Sequence, residues 1–364
     1  MSDLIPPPSS LGRRRELLDR KLLNGVLWTA VVVTSLVVLR EGKDLFIPLI
    51  IALVAVYLIT VLSRMAQRIK INGYSLPSAV TMILSFAFIF GVGYALFKLV
   101  AENALLVAEA APGYQVRLIQ LQRDLFASLG LEEPMEATQI IRSIDLQSAF
   151  TTVASTLAGV LGRVSLVLLY SLFILIELRF LDAKVTALIP DDTRRGTVMS
   201  VLKRIDADIH KYLGVKTVIS LLTAILSYAV MRFVGLDFAE FWAVLVFILN
   251  FIPTFGSIAA TIFPTILAAV QFTSLAPFLI VGLGITAIQQ LLGSIIEPNL
   301  MGETLNISPL VVFGSLILWG YIWGIVGMFL CVPITVIIVI VMSNFESTRW
   351  VSILLSKTGH VRSE

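Results

Sequence analysis

Long runs of apolar residues, separated by short polar segments, dominate the hydrophobic pattern of this chain. The hydrocarbon core of a bilayer is about 30 Å thick, so an apolar helix of about 20 residues can cross it. Six apolar runs come close to that length: 22–39, 45–62, 76–97, 153–176, 215–233 and 276–296. Each of these runs is therefore predicted to cross a membrane once.

Two further apolar stretches, residues 238–272 and 308–343, are too long for one simple crossing. As a straight α-helix rising 1.5 Å per residue, each would be about 50 Å long. Each contains a segment where the chain can turn, at 250–256 and at 319–327. Broken helices in corresponding places are typical of transport paths, because freed backbone is tolerated at membrane depth only where protein buries it or it lines a cavity.

These patterns predict an all-α polytopic membrane protein with about eight transmembrane helices. Two arrangements stay open: six full spans plus two re-entrant helical hairpins, or hairpin arms that each cross the bilayer. The two broken stretches are also candidates for distant copies of one unit, because they can be aligned so that Leu249 falls on Leu318 and Pro264 on Pro333. Chance matching of apolar residues is the alternative explanation.

The loop charges predict the orientation. Arginine and lysine concentrate before the first run, after the second and after the fourth, whereas residues 98–152 carry more acidic than basic side chains. Because cytoplasmic loops are enriched in Lys and Arg, the 98–152 segment is predicted to be external and both termini cytoplasmic. Leucines at helical spacing, among them Leu118, Leu121 and Leu125, predict that this segment is a helical arm that packs on itself or on a neighbouring subunit.

The predicted organisation has seven parts. They are a cytoplasmic N-terminal tail (1–21), N-terminal transmembrane helices (22–101), an external helical arm (102–152), a transmembrane helix (153–180), a cytoplasmic amphipathic linker helix (181–213), a C-terminal transport core with the two broken stretches (214–343) and a cytoplasmic C-terminal tail (344–364). The linker helix is expected to begin near Pro190, where Asp191, Asp192 and Thr193 form a helix-start signal.

The composition supports a membrane protein and argues against most other classes. Hydrophobic residues make up 57% of the chain and charged residues 14%. The net charge of +3 comes from loop residues that set orientation, so no nucleic-acid partner is expected. With two histidines, one cysteine and no nucleotide-binding or hydrolase motif, the sequence predicts no enzyme, no metal site and no cofactor. Asp206 and His210, four residues apart, are interpreted as part of a solvated helix face rather than as a metal site.

A few polar side chains near membrane depth are the candidates for chemistry. Glu297 is the strongest, because ionisable groups inside membranes are costly and usually face a pathway; the alternative is that it lies in a loop. Gln289 and Gln290 are predicted either to contact a solute or to form hydrogen bonds between helices. Asn250 either contacts a ligand or caps the freed backbone. Gly324 and Gly327 mark the second break.

Several ordered segments carry a family resemblance. They include Asn250-Phe251-Ile252-Pro253 and Glu297-Pro298-Asn299-Leu300, together with residues 188–190, 204–206, 212–213, 308–310, 319–320, 324–327 and 332–333. In this order they resemble the autoinducer-2 exporter (AI-2E) family of prokaryotic membrane proteins. The positions carried over from the family pattern are Asn250, Pro253, Gly256, Glu297, Pro298, Asn299, Gly302 and Pro309.

The resemblance implies a multi-pass protein of the bacterial inner membrane that assembles as a homo-oligomer. It also implies a transporter: members have been linked to export of the quorum-sensing signal autoinducer-2, and others to exchange of sodium or lithium against protons. We therefore expect a secondary transporter that exports a small polar solute with H⁺ or Na⁺ as coupling ion. The alternatives are a Na⁺(Li⁺)/H⁺ antiporter and a non-transporting membrane scaffold that uses the external arm.

Overall fold

The computed structural model describes residues 25–27, 29–31, 33–68, 70–71, 74–128, 130, 164–272, 274–301 and 306–359. The chain divides into two compact units, Met1–Ile47 and Pro48–Glu364. In the first unit, helix α1 covers the described residues of 25–41, and the amide of Gly42 donates to the carbonyl of Val38 at 2.8 Å. The second unit contains all the features discussed below.

The remaining elements follow in chain order. They are α2 (Lys43–Arg68), the two-residue strands β1 (Lys70–Ile71) and β2 (Tyr74–Ser75), α3 (Ser78–Ser128), α4 (Val164–Leu188), α5 (Asp192–Val234), α6 (Ala239–Leu249), α7 (Phe255–Gln271), α8 (Leu275–Met301), α9 (Pro309–Trp323), α10 (Ile325–Ser343) and α11 (Arg349–Leu355). The strands pair antiparallel and join α2 to α3.

The predicted fold class is confirmed. Within the described ranges, six helices are long and apolar enough to cross a membrane: α2, α3, α4, α5, α8 and α10. Three shorter apolar helices, α6, α7 and α9, complete the two broken stretches. The protein is therefore an all-α polytopic membrane protein.

Two helices are longer than the hydrophobic pattern predicts. Helix α3 runs for 51 residues, so the third predicted span continues without a break into the arm. Helix α5 runs for 43 residues and joins the predicted linker helix to the fifth predicted span. Alanine, leucine, glutamate and lysine are all good helix formers, so helix propensity does not fall where the chain becomes more polar.

Helix α5 begins where the sequence predicts a helix start. The Asp191 carboxylate accepts hydrogen bonds from the backbone amides of Thr193 and Arg194, at 2.8 and 3.0 Å. These bonds satisfy two of the amides that have no partner inside the helix. At the other end Gly235, at φ 78°, ends the helix in the left-handed conformation that glycine adopts readily.

The apolar core joins α3 to α5, α6, α7 and α8. Its buried side chains include Val100 and Val107 from α3, Met231 from α5, Trp242 from α6 and Ile285 from α8. The arm part of α3 is therefore anchored on the C-terminal half of its own chain. This contact was absent from the sequence-based prediction, which considered only packing of the arm on itself or on another subunit.

Polar contacts extend this anchor beyond the apolar core. The Tyr114 hydroxyl donates to the Asp237 carboxylate at 3.1 Å, and the Arg117 guanidinium donates to the Gln271 carbonyl at 3.1 Å. The Gln271 side chain in turn accepts from the amide of Asp237 at 2.8 Å and donates to the carbonyl of Gly235 at 2.9 Å. The arm thus contacts both ends of the α6–α7 hairpin.

Replacing Tyr114 by Phe is expected to loosen this contact with little effect on global stability. The substitution removes one exposed hydrogen bond, which contributes about 1 kcal/mol. Hydrogen exchange of the amides at 235–238 should become faster, because their opening requires only local unfolding. Val116→Ala, on the same helix, is the control and should leave that exchange unchanged. Equal exchange in Tyr114→Phe and the unmodified protein would contradict the anchoring role.

Candidate functional site

The first broken stretch is a helical hairpin closed by a strained turn. Helices α6 and α7 are separated by residues 250–254, and the amide of Phe255 donates to the carbonyl of Pro253 at 2.6 Å. Thr254 between them has φ 60° and ψ −59°, which is the rare, strained form of the γ-turn. A Cβ atom on Gly256 would lie 1.7 Å from the carbonyl oxygen of Leu249, so only glycine fits where the two arms meet.

The second broken stretch closes in a similar way. Helix α9 ends and α10 begins at Gly324, which has φ 64°. A Cβ atom on Gly327 would lie 1.9 Å from the carbonyl oxygen of Trp319. In both hairpins a glycine near the start of the second arm touches a carbonyl at the end of the first arm, and a proline follows within the second arm, Pro264 or Pro333. The alignment that places Pro264 on Pro333 does not place Gly256 on Gly327, so the interpretation of the stretches as copies of one unit stays a prediction.

The turn of the first hairpin contacts both arms of the second hairpin. The Phe251 ring stacks on the Phe329 ring of α10 with their centroids 4.7 Å apart. Phe255, the first residue of α7, stacks on Phe313 of α9 at 6.1 Å. The first break predicted from the sequence is therefore packed against the second broken stretch, as expected for a site built from broken helices.

A buried ion pair links α5 to α8 beside these hairpins. The Lys216 ammonium lies 2.7 Å from a Glu297 carboxylate oxygen, and the two side chains are only 9% and 18% exposed. Tyr212, one helical turn before Lys216 on the same helix, is also buried. Burying such a pair costs free energy, and removing one partner costs more. Its presence in an apolar helix bundle therefore makes this position the candidate functional site.

The sequence identified Glu297 as a candidate but missed Lys216. A signal for Lys216 was present, because it is a lysine inside the predicted span 215–233. It was overlooked because it follows Lys211 and resembles the end of the basic loop. The loop alternative for Glu297 does not hold, since its side chain points into the contact with α5.

Glu297 follows a π-helical stretch in α8. Residues Gln290–Ile296 are π-helical, and α-helix resumes at Glu297–Met301. Pro298 therefore lies inside helix α8 and does not end it. A proline lacks the amide for a helical bond and its ring crowds the carbonyl four residues earlier, and the wider π-helical turn before it accommodates both effects. Such turns occur frequently at functional sites.

Two further predicted residues join this site. Asn250 is buried at the first hairpin turn, and its amide nitrogen donates to the Ser220 hydroxyl at 3.2 Å. Ser220 lies one helical turn after Lys216 on α5. Gln289, 9% exposed, lies on the buried face of α8. The structure therefore groups Asn250 and Glu297 with Ser220 and Lys216 of α5, neither of which the sequence analysis singled out. Gln289 lies about two helical turns before Glu297 on α8.

The other predicted positions lie around this group. Gln290, Pro298 and Asn299 are exposed, and the Gln290 side chain accepts a hydrogen bond from Ser294. Pro253 is half-buried, and Pro309 is the exposed first residue of α9. Gly256 and Gly327 shape the hairpins, and Gly324 forms the second turn. Gly302 lies outside the described residues.

His210 belongs to a contact between helices rather than to a solvated face. Its ring nitrogens lie 3.0 Å from the Thr60 hydroxyl of α2 and 2.8 Å from the Asp206 carbonyl oxygen. The Tyr57 ring packs edge-on against the histidine at 4.6 Å. In the part of the chain that the structure describes, no three side chains of His, Cys, Asp or Glu are grouped to hold a metal ion.

A groove between α7 and α8 lies apart from the ion pair. Its lining includes Thr261, Thr265 and Thr286, whose hydroxyls donate to carbonyls of their own helices at 2.6–2.9 Å. The rest of the lining is apolar apart from Gly282. Because most of its lining is apolar, this groove offers few contacts to a polar solute.

Comparison with known proteins gives a consistent result. The sequence model of the family described as "AI-2E family transporter" matches residues 27–347. "AI-2 transport protein TqsA" of Escherichia coli K12 is 29% identical over 343 residues, which cover 92% of this chain and 96% of that protein. A "putative transport protein" of Haemophilus influenzae is 29% identical over 91% of this chain and 95% of its own length. "Putative transport protein YhhT" of E. coli K12 is 27% identical over 93% and 95%.

Proposed function

This chain belongs to the AI-2E transporter family, and we propose that it is a secondary transporter of the bacterial inner membrane that exports a small polar solute, with autoinducer-2 as the first candidate. The relative named as an AI-2 transport protein supports the choice of solute. The observation that carries the proposal is the Lys216–Glu297 pair buried beside two broken hairpins. Intramembrane ion pairs of this kind typically mark solute and ion pathways.

Glu297 is the group that we propose couples transport to an ion gradient. A proton or sodium ion bound by its carboxylate competes with the Lys216 ammonium for the same oxygen atoms. Ion binding therefore changes the contact between α5 and α8, and through Ser220 it reaches Asn250 at the first hairpin turn. The site thus contains a carboxylate for the ion and a connection along one face of α5 to the first hairpin turn.

Purified protein in proteoliposomes is expected to accelerate autoinducer-2 efflux over protein-free vesicles, and an imposed proton gradient should change the rate. For one-for-one exchange, a gradient of one pH unit supports about tenfold solute accumulation, because 1.4 kcal/mol corresponds to a factor of ten. The measurement is the solute remaining in the vesicles over time. Glu346→Gln, which changes an exposed carboxylate in the C-terminal segment, is the matched control and should transport normally.

Sodium or lithium exchange against protons is the second candidate. The observation that favours it is the single carboxylate paired with an ammonium group, since a monovalent cation can replace the ammonium. The same vesicles, loaded with a pH-sensitive dye and no organic solute, would then acidify or alkalinise in response to a sodium gradient. Absence of efflux together with sodium-driven proton movement, in vesicles that contain folded protein, would replace the first candidate by this one.

A further inference from the structure

One face of helix α5 carries a row of buried polar side chains. Lys216, Ser220, Thr223 and Ser227 follow each other at three- or four-residue intervals, so they lie on one side of the helix. Their residues are 7%, 0%, 1% and 0% exposed. At 1.5 Å per residue the row spans about 16 Å, more than half of the roughly 30 Å hydrocarbon core.

One end of the row meets a carboxylate, because Lys216 pairs with Glu297. The other end, at Ser227, lies about three helical turns further along α5.

Gln289 of α8 lies level with the part of α5 between Lys216 and Met231. One turn before it, Ile285 packs in the same apolar cluster as Met231 of α5. Two turns after it, Glu297 bonds to Lys216. Because Gln289 lies on the same buried face between these two contacts, it is directed at α5 between Lys216 and Met231.

Two groups along the row are buried without a hydrogen-bond partner. Among the residues that the structure describes, the Ser227 hydroxyl and the Gln289 amide nitrogen contact neither solvent nor an acceptor or donor. Leaving such a group unpaired costs about 1–3 kcal/mol. A buried hydroxyl in a helix usually avoids this cost by bonding to a backbone carbonyl, as the Thr223 hydroxyl does by donating to the carbonyl of Ile219 at 2.8 Å. Ser227 and Gln289 are therefore positioned for a partner that comes from outside the protein.

We propose that this row, which we call the α5 polar path, carries the solute through a single chain and selects neutral, polyhydroxylated molecules. The proposal rests on the proposed transport function. Hydroxyl and amide groups both donate and accept hydrogen bonds, which matches the hydroxyls of a sugar-like solute. Lys216 and Glu297 neutralise each other, so the path presents no net charge that would favour an organic anion or cation.

Thiol labelling tests the path without requiring a known solute. Ser227→Cys and Thr223→Cys are introduced separately, and a charged, membrane-impermeant methanethiosulfonate is applied to the protein in liposomes. Ser227 and Thr223 are buried in this structure, so their labelling requires the path to open to water during transport. Because only a water-exposed thiolate reacts, an open path should make both variants label roughly tenfold faster than Leu226→Cys, which lies on the exposed apolar face of α5. The unmodified protein, whose only cysteine is the fully buried Cys331, gives the baseline.

Protection experiments test the solute class. Xylitol, a neutral polyol, should slow labelling of Ser227→Cys, whereas succinate and choline should not. Labelling of both path variants at the Leu226→Cys rate, in protein that unfolds at the normal temperature, would overturn the path. Rapid labelling that xylitol fails to slow would overturn the solute class. Rapid labelling in protein that does not transport autoinducer-2 would leave the path standing and refute only the choice of solute.

Discussion

Replacing Glu297 by Gln is expected to abolish ion-coupled transport and to destabilise the protein strongly. The substitution leaves the Lys216 ammonium buried without its counter-charge, and breaking a buried pair in this way typically costs about 3–5 kcal/mol. Lys216→Met should have a cost of similar size, because it leaves the Glu297 carboxylate alone. Thermal unfolding in detergent and gradient-driven efflux from liposomes measure the two effects.

The double variant Lys216→Met/Glu297→Gln separates stability from transport. With both charges removed, much of the lost stability should return, so the double-mutant cycle should show a large coupling between the two positions. Transport should not return, because the ion-binding carboxylate is absent. If the double variant lost as much stability as the two single variants together, the interaction between Lys216 and Glu297 would contribute nothing to stability. Normal, gradient-dependent efflux by Glu297→Gln at every pH would remove its coupling role.

Alanine at Gly256 or Gly327 is expected to open the corresponding hairpin. The added methyl group would lie 1.7 or 1.9 Å from a backbone carbonyl oxygen, and a backbone atom cannot move aside as a flexible side chain can. We expect the free energy of unfolding to fall by about 3 kcal/mol or more in each case. This cost is at or above the upper end of the range for substitutions that overpack a core. Transport should fall as well, since the turn of the first hairpin packs on the second hairpin through Phe251 and Phe329.

Gly314→Ala provides the matched control for both glycine variants. Gly314 lies in the middle of α9, and a Cβ atom there would meet no other atom within 4 Å. Alanine is about 1 kcal/mol more favourable than glycine inside a helix, so this variant should be as stable as the unmodified protein or slightly more stable. Equal unfolding temperatures for Gly256→Ala, Gly327→Ala and Gly314→Ala would contradict the tight approach of the hairpin arms.

The hydrophobic pattern predicts most of the helices and both breaks, because these depend on local properties. Apolar length defines the spans, and glycine and proline mark positions such as Gly256 and Gly324 where an ordinary helix cannot continue. Glu297 and Asn250 were identified for a similar reason: polar groups are costly inside an apolar segment. This part of the site could be inferred without knowing which helices touch.

The partners of these residues could not be inferred from the sequence. Lys216 and Glu297 are 81 positions apart, and Asn250 and Ser220 are 30 apart, so both contacts depend on how the helices pack. The continuous helices α3 and α5 were missed because the predicted spans were limited to the apolar residues, whereas each helix continues through a more polar segment. Three features of the protein stay predictions. They are the division of the chain into seven parts, the orientation of its termini and its oligomeric state.

The π-helical stretch of α8 suggests how a membrane helix can change length without losing its site. In a regular α-helix, residues eight apart point about 80° away from each other, whereas residues seven apart point within about 20°. Gln289 and Glu297 are eight apart, yet both lie on the buried side of α8. The π-helical stretch between them therefore contains one residue more than a regular α-helix would need to place both side chains on the same side. A single-residue deletion within 290–296 would therefore restore a regular helix with both side chains still facing α5, so this segment can tolerate a change in length that would misalign any ordinary transmembrane helix.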